Sequence, residues 1–166
     1  MRALGLFLLA LIPALTGFFR GERLRREERT LEAVLSFLRH IRFQIEVFSR
    51  EQEKIFTSFE NPLLEKSGFL PRLRELTEKD PCGALKYALA ESLSEWKMGI
   101  NEEKGLLDFA ESFGSISRER QLEECDRAIS LISEAVGARK KDLPAQIKLA
   151  RMIGAAAGLG MLILLL

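Results

Sequence analysis

Leu31-Glu32-Ala33-Val34-Leu35-Ser36-Phe37-Leu38-Arg39-His40-Ile41-Arg42-Phe43-Gln44-Ile45-Glu46-Val47-Phe48 is the stretch that decides the fold. Leu31, Val34, Leu38, Ile41, Ile45 and Phe48 recur at spacings of 3, 4, 3, 4 and 3. In an α-helix that spacing puts all of them on one face, as an a/d seam. The pattern predicts a helix from about Leu24 to Phe48. Leu122, Cys125, Ile129, Ile132 and Val136 repeat at 3, 4, 3 and 4 and predict a second long helix. The two are expected to pair antiparallel, as a stalk that carries a bundle. Strand signals oppose nothing here: two-residue alternation is never sustained, and Asn-Gly and Asp-Gly hairpin turns are absent.

Shorter helices fill the interval. Ser49 with Gln52 resembles a capping box, opening a helix that ends near Phe59. Asn61-Pro62 and Asp80-Pro81 each join an N-cap residue to a proline at the first helical position. The second pair is expected to start a helix carrying Leu85, Leu89, Leu93 and Trp96. Asn101 is expected to cap the next, with Leu106, Phe109, Ala110 and Phe113 on its inner face. Gly114 to Ser117 reads as the turn into the last long helix, which Pro144 should break or kink. The fold class is therefore all-α: an antiparallel bundle of about six helices on a two-helix stalk.

Outside this middle the charge disappears. Ala3 to Phe19 and Met152 to Leu166 hold no charged residue. As helices of 17 and 15 residues they would span roughly 26 and 22 Å. Both are short for a bilayer core of about 30 Å, a difference met by thinning or snorkelling. We expect N- and C-terminal transmembrane helices over 1–20 and 152–166, flanking a bundle over 21–151. Buried helices of a soluble protein are the competing reading; the missing polar face opposes it. A cleaved signal peptide competes for the first run. Against it, Arg20, Arg23, Arg25, Arg26 and Arg29 follow that run, where only Arg2 precedes it. Arg139, Lys140, Lys141, Lys148 and Arg151 precede the second run. The positive-inside rule then places the middle in the cytoplasm and both termini outside. Residues 30 to 138 carry 14 Lys and Arg against 20 Asp and Glu, so the distal part is acidic and the basic residues collect beside the lipid.

The 166 residues carry a net charge of +1, which argues against general nucleic-acid binding. Two cysteines, Cys82 and Cys125, are too few for a disulfide scaffold and lack metal-ligand spacing. The lone histidine, His40, has Phe37 three residues before it, so a di-metal Glu-x-x-His bundle is excluded. It reads best as a histidine on a helix flank. Cys125 reads as a small core residue. Cys82, in a predicted first helical turn, has no partner base. There is no glycine-rich phosphate loop, and no catalytic, cofactor or metal site is expected. Glu27-Glu28, Glu102-Glu103 and Glu123-Glu124 read as solvated faces. An acidic surface including Glu102, Glu103 and Glu111 would suit a basic partner. Gly154 and Gly158, with Gly17 and Gly21, make small-xxx-small faces for packing within the hairpin or between copies of the chain.

The segment from Leu106 to Gln121 resembles the stage III sporulation protein AB family. Leu106-Leu107-Asp108-Phe109-Ala110-Glu111-Ser112-Phe113-Gly114 is similar to that family's Leu-x-x-Phe-x-x-x-Leu-Gly, with Phe113 in place of leucine. Ser115-Ile116-Ser117-Arg118-Glu119-Arg120-Gln121 is similar to its Ser-Asp-Arg-Glu-x-Gln, with Ser117 for aspartate. Lys148 to Gly154, then Gly158 and a Leu/Ile tail, also resembles the family. Ser49 to Leu76 departs from it, since Pro-Leu usually follows the first long helix there. The resemblance implies a fold like the cytoplasmic bundles of type II secretion and type IV pilus platform proteins. It also implies a place in a secretion-like channel complex, in the mother-cell membrane facing the forespore, with a cytoplasmic secretion-type ATPase among its subunits. It carries over no catalytic residue. Phe109, Phe113, Gly114, Ser117 and Gln121 are the expected structural turn motif.

Three functions follow for testing. The first is a non-enzymatic platform or adaptor subunit. The second is a membrane-anchored helical sensor or signalling scaffold, which the short outer tails oppose. The third is a membrane-anchored enzyme, which would need convergent titratable groups.

Overall fold

From Leu31 to Ile45 the seam is buried, and more of that stretch is buried than the seam alone. A computed structural model describes residues 2–48, 52–81 and 83–165, with the side chains of 2–14, 48, 52, 53, 162, 164 and 165 outside the description. Seven helices are present among the described residues: α1 (Arg2–Phe48), α2 (Gln52–Thr57), α3 (Pro62–Lys66), α4 (Phe69–Lys79), α5 (Ala84–Trp96), α6 (Ile100–Ser112) and α7 (Arg118–Leu165). No strand occurs among them. The protein is all-α.

The chain forms two compact units, Met1–Glu28 with Ala138–Leu166, and Arg29–Gly137. This division by packing differs from the division by charge, since residues 21–28 and 138–151 pack with the terminal runs. The terminal unit carries ten Lys and Arg against four Asp and Glu, the central unit 15 against 20.

In the central unit Leu31, Val34, Leu38, Ile41 and Ile45 are buried, but so are Ala33, Leu35, Phe37 and Gln44. A two-helix seam would leave the latter exposed. A stripe this wide belongs to a helix surrounded by others. The segments expected as a stalk are thus part of the bundle. They do run antiparallel, because Ile45 meets Arg118 while Arg42 meets Asp126. Phe37 explains the extra burial. Its ring centroid lies 5.2 Å from Phe59 and 5.4 Å from Phe69, and Phe69 lies 5.1 Å from Trp96. The edge-to-face contacts tie α1, α4 and α5 into one core. The helices α4 and α5, α5 and α6, α2 and α4, and α3 and α4 pack in pairs.

One predicted cap holds and two do not. Asn61 Oδ1 accepts the Leu63 and Leu64 N–H groups at 3.0 and 3.2 Å, capping α3. Asp80-Pro81 does not open α5. Asp80 is the C-cap of α4, its N–H donating to the Leu76 carbonyl at 2.8 Å. A residue before proline is pushed out of the α region, and Asp80 sits at φ −145°, ψ 88°. The pair therefore ends one helix, and the next begins after Gly83. Asn101 does not cap α6 either. Gly99 holds the N-cap position, its carbonyl accepting from Glu103 at 3.0 Å, and Asn101 lies inside the helix. Ser49 and Cys82 lie outside the described residues, and α2 ends at Thr57.

Pro144 does not interrupt α7. A proline in a helix interior costs about 3 kcal/mol. Pro144 is exposed, and three residues on Ile147 is buried against Gly21, holding the helix in line. In the terminal unit α1 and α7 again run antiparallel. A Cβ placed on Gly17 would stand 2.6 Å from the Ala150 carbonyl oxygen and 3.2 Å from the Gly154 Cα. Among the described residues no helix is long and apolar enough to cross a membrane.

Candidate functional site

The turn between α6 and α7 gathers the residues of the sequence motif. Phe109, one turn before the end of α6, accepts the Phe113 N–H at 3.0 Å. Phe113 is buried, with its ring 5.6 Å from Phe109 and 5.7 Å from Phe56. Gly114 follows at φ +82°, where a side chain would strain the backbone. That reversal lets Ser115 donate to the Ser112 carbonyl, from its N–H at 3.2 Å and its Oγ at 2.9 Å.

Ser117 stands immediately before α7, and its carbonyl accepts the first helical N–H, from Gln121 at 2.9 Å. The Gln121 side chain reaches back to the Ile116 carbonyl at 3.0 Å. Phe109, Phe113, Gly114, Ser117 and Gln121 are thus brought together, as lock and hinge of one tight turn.

Arg118, the first residue of α7, reaches across to α1. Its guanidinium donates to the Ile45 carbonyl at 3.1 Å and to the Glu46 carbonyl. Those carbonyls belong to the last turn of α1, where no helical donor remains. Arg118 therefore caps the end of one long helix from the start of the other. Nothing local in the sequence signals this, because the partners are 73 and 72 positions away. Nearby Arg42 spans Glu46 and Asp126, and both carboxylates hold its guanidinium pKa above the usual value.

The three acidic residues share α6 but not one face. Glu102 and Glu111 are nine positions apart, about two and a half turns, which puts them on opposite sides of the helix. Glu102 folds its carboxylate over Gly99 at the helix start. Glu103 is half-buried, and Glu111 pairs with Lys86 of α5 at 3.0 Å.

His40 is half-buried on α1. Its Nε2 lies 3.2 Å from the Ile55 carbonyl and 3.1 Å from Ser58 Oγ, and its ring lies 5.1 Å from Phe59. Burial lowers its pKa, against a smaller upward pull from the Ile55 carbonyl. It joins α1 to the end of α2, where the Ser58 hydroxyl also donates to the Ile55 carbonyl at 3.0 Å. Cys125 is buried in the core, and desolvation pushes its thiol up to about 12. It is a packed side chain with little thiolate at neutral pH. Among the described residues no group of three or more His, Cys, Asp and Glu could hold a metal ion.

In the terminal unit Gly17, Gly154 and Gly158 are buried. Phe18, Phe19, Ile153, Leu159 and Ile163 are exposed, between 53% and 73%. Small residues line the helix contact and large apolar ones face outward.

The family model described as stage III sporulation protein AB matches residues 2–166. No curated protein and no solved structure matches the chain.

Proposed function

The chain belongs to the stage III sporulation protein AB family, and on that premise we propose that it is a membrane-anchored platform or adaptor subunit acting in sporulation. Both apolar runs would sit in the mother-cell membrane facing the forespore. The bundle would lie in the cytoplasm, docking a secretion-type ATPase and coupling it to the other subunits of a channel complex. The role is non-enzymatic: the bundle holds and positions partners.

One observation carries the membrane part. The terminal unit is inside-out by the standard of a water-soluble protein, with glycines buried and Phe18, Phe19, Ile153, Leu159 and Ile163 exposed. In water so much outward apolar surface calls for a cover. Lipid supplies one, and small residues at the contact are what helix pairs in lipid use. The basic excess of the same unit suits anionic headgroups, and the acidic excess of the central unit suits the side away from them.

The docking part rests on the kinship and on the architecture. The bundle has a core held by aromatic contacts and a sharp turn whose following residue, Arg118, caps the end of α1, as a rigid adaptor needs. Its acidic exterior, Glu111 included, would attract a basic face of the motor.

Protease protection tests the topology. Trypsin has many sites among the arginines at 20–29. In intact spheroplasts the bundle is expected to survive and after lysis to be cleaved. Cleavage before lysis would put the bundle outside and leave it no access to a cytoplasmic motor. Cross-linking in sporulating cells then tests docking: capture of a cytoplasmic ATPase through bundle residues is expected, and its absence across the bundle surface would remove the adaptor role.

A further inference from the structure

In the terminal unit three cationic side chains surround an apolar pocket of about 430 Å³. Lys148 and Arg151 stand one turn apart on α7, and Arg25 reaches in from α1. Pro144, Ile147 and Met152 form the apolar part of the wall. No acidic residue lines it.

We propose that this pocket takes the phosphate headgroup of an anionic membrane phospholipid, its glycerol and upper acyl carbons resting on the apolar wall. The proposal rests on the membrane reading above and extends it to a defined lipid site.

The charges argue for an anion. Three cations converge on one space, and the compensation around them is weak. Arg25 has Glu22 at only 3.9 Å. Arg151 lies 5.7 Å from the centre of the Phe18 ring, a cation–π contact that removes no charge. Lys148 has no carboxylate partner among the described residues. Asp142 is the sole acid in the whole of 138–166.

The level argues for a lipid. Arg151 adjoins Met152 and Ile153, both exposed apolar residues at the start of the uncharged run. If that run enters the bilayer, the pocket lies where phosphates lie, and cationic pockets between helices at this level are headgroup sites. A zwitterionic lipid would bring its own cation toward three others. An anionic lipid brings only the charge that is missing, so the preference follows from repulsion as well as attraction.

The test uses the full chain in a neutral detergent, with native mass spectrometry counting retained lipid. The wild type should retain phosphatidylglycerol in preference to phosphatidylcholine by more than about tenfold. The variant Arg25→Gln/Lys148→Gln/Arg151→Gln should lose that preference. A control with equal charge change in the same unit, Arg139→Gln/Lys140→Gln/Lys141→Gln, should keep it. If the triple variant loses helicity, Lys148→Gln alone, at an exposed residue, carries the comparison. No preference in the wild type, or equal loss in the control, overturns the proposal. So does displacement of the lipid by millimolar inorganic phosphate, which would mark a site for soluble anions, or by an acidic peptide, which would mark a protein contact. Carbonate washing of membranes separates the two readings. A wild-type chain that washes off ends both; one that stays but shows no lipid preference ends this proposal alone.

Discussion

Arg118 Nε donates to the Ile45 carbonyl oxygen at 3.1 Å, so the first residue of α7 closes the last turn of α1. The guanidinium adds a second bond to Glu46 and places a positive charge at the negative end of a helix. It also fixes the turn that precedes it, because Gly114 to Ser117 must deliver Arg118 to that point.

Replacing Arg118 tests this directly. Arg118→Ala should lower the unfolding free energy by about 1 kcal/mol, since water replaces part of a charge-assisted bond at an exposed site. Arg118→Lys should recover some of the loss through its charge, but it lacks the fork that reaches two carbonyls. Urea titration followed by helical circular dichroism reads the difference. Equal midpoints for all three proteins would mean the clamp is decorative.

Gly114 offers a sharper break. At φ +82° a β-branched residue is strained by about 1–2 kcal/mol. Gly114→Val should destabilise the bundle and disturb assembly with its partners, whereas Gly114→Asn should do less, as asparagine tolerates the left-handed region. Wild-type helicity and wild-type assembly in Gly114→Val would show that the turn can take another shape.

The parts of this fold that were legible are those with local causes. The Leu31–Ile45 spacing, the inner face Leu106, Phe109, Ala110 and Phe113, and the Asn61 cap all announce themselves within one or two helical turns, and all are where they were expected. What was not legible depends on distance. Phe37 meets Phe69, and Phe69 meets Trp96, across stretches that share no periodic pattern. Their cluster turned an expected stalk into a central helix. Asp80-Pro81 and Pro144 failed for the opposite reason. A proline marks a boundary but does not say which side of it the helix lies on, or whether packing overrides it. At the candidate site the turn residues were legible through their family motif, while the reach of Arg118 to α1 was not. Glu102 and Glu111 looked like one surface as letters and lie on opposite sides of α6.

In the terminal unit the contact at Gly17 can be tested against an internal control. A Cβ there would press on the Ala150 carbonyl oxygen at 2.6 Å, and backbone atoms cannot step aside. A Cβ on Gly160 would meet nothing within 4 Å. Gly17→Leu should therefore lower the melting temperature of the detergent-solubilised chain, and Gly160→Leu should leave it unchanged. Equal effects would mean that the helices pack through other residues.

Cys125 makes a prediction about reactivity. With its thiol pushed up to about 12 by burial, thiolate is scarce at pH 8. In a Cys82→Ser background, iodoacetamide should label the native chain far more slowly than the urea-unfolded chain. Comparable rates would mean that the core around α7 opens readily, against the burial of Cys125 among the α1 seam residues.

His40 gives the pH dependence. Burial lowers its pKa below the usual value of 6.5, so the folded chain binds this proton less readily than the unfolded chain. Between the two pKa values the unfolded state holds more protons, and stability rises with pH. The contribution is therefore complete above the unfolded value and is lost progressively as pH falls through about 6.5. Protonation would put a charge in a half-buried site, where the bond to the Ile55 carbonyl offsets only part of the lost hydration. Melting temperature should accordingly decline from about pH 7.5 to pH 5.5, a window in which ordinary carboxylates stay ionised. Glu75, held low by Lys79 and then Arg72, titrates below that window. His40→Asn should flatten the decline while lowering stability at the upper end, since asparagine cannot fill the place of the ring against Phe59. A decline of the same slope in His40→Asn would assign the effect to other groups and leave His40 a neutral spectator between α1 and α2.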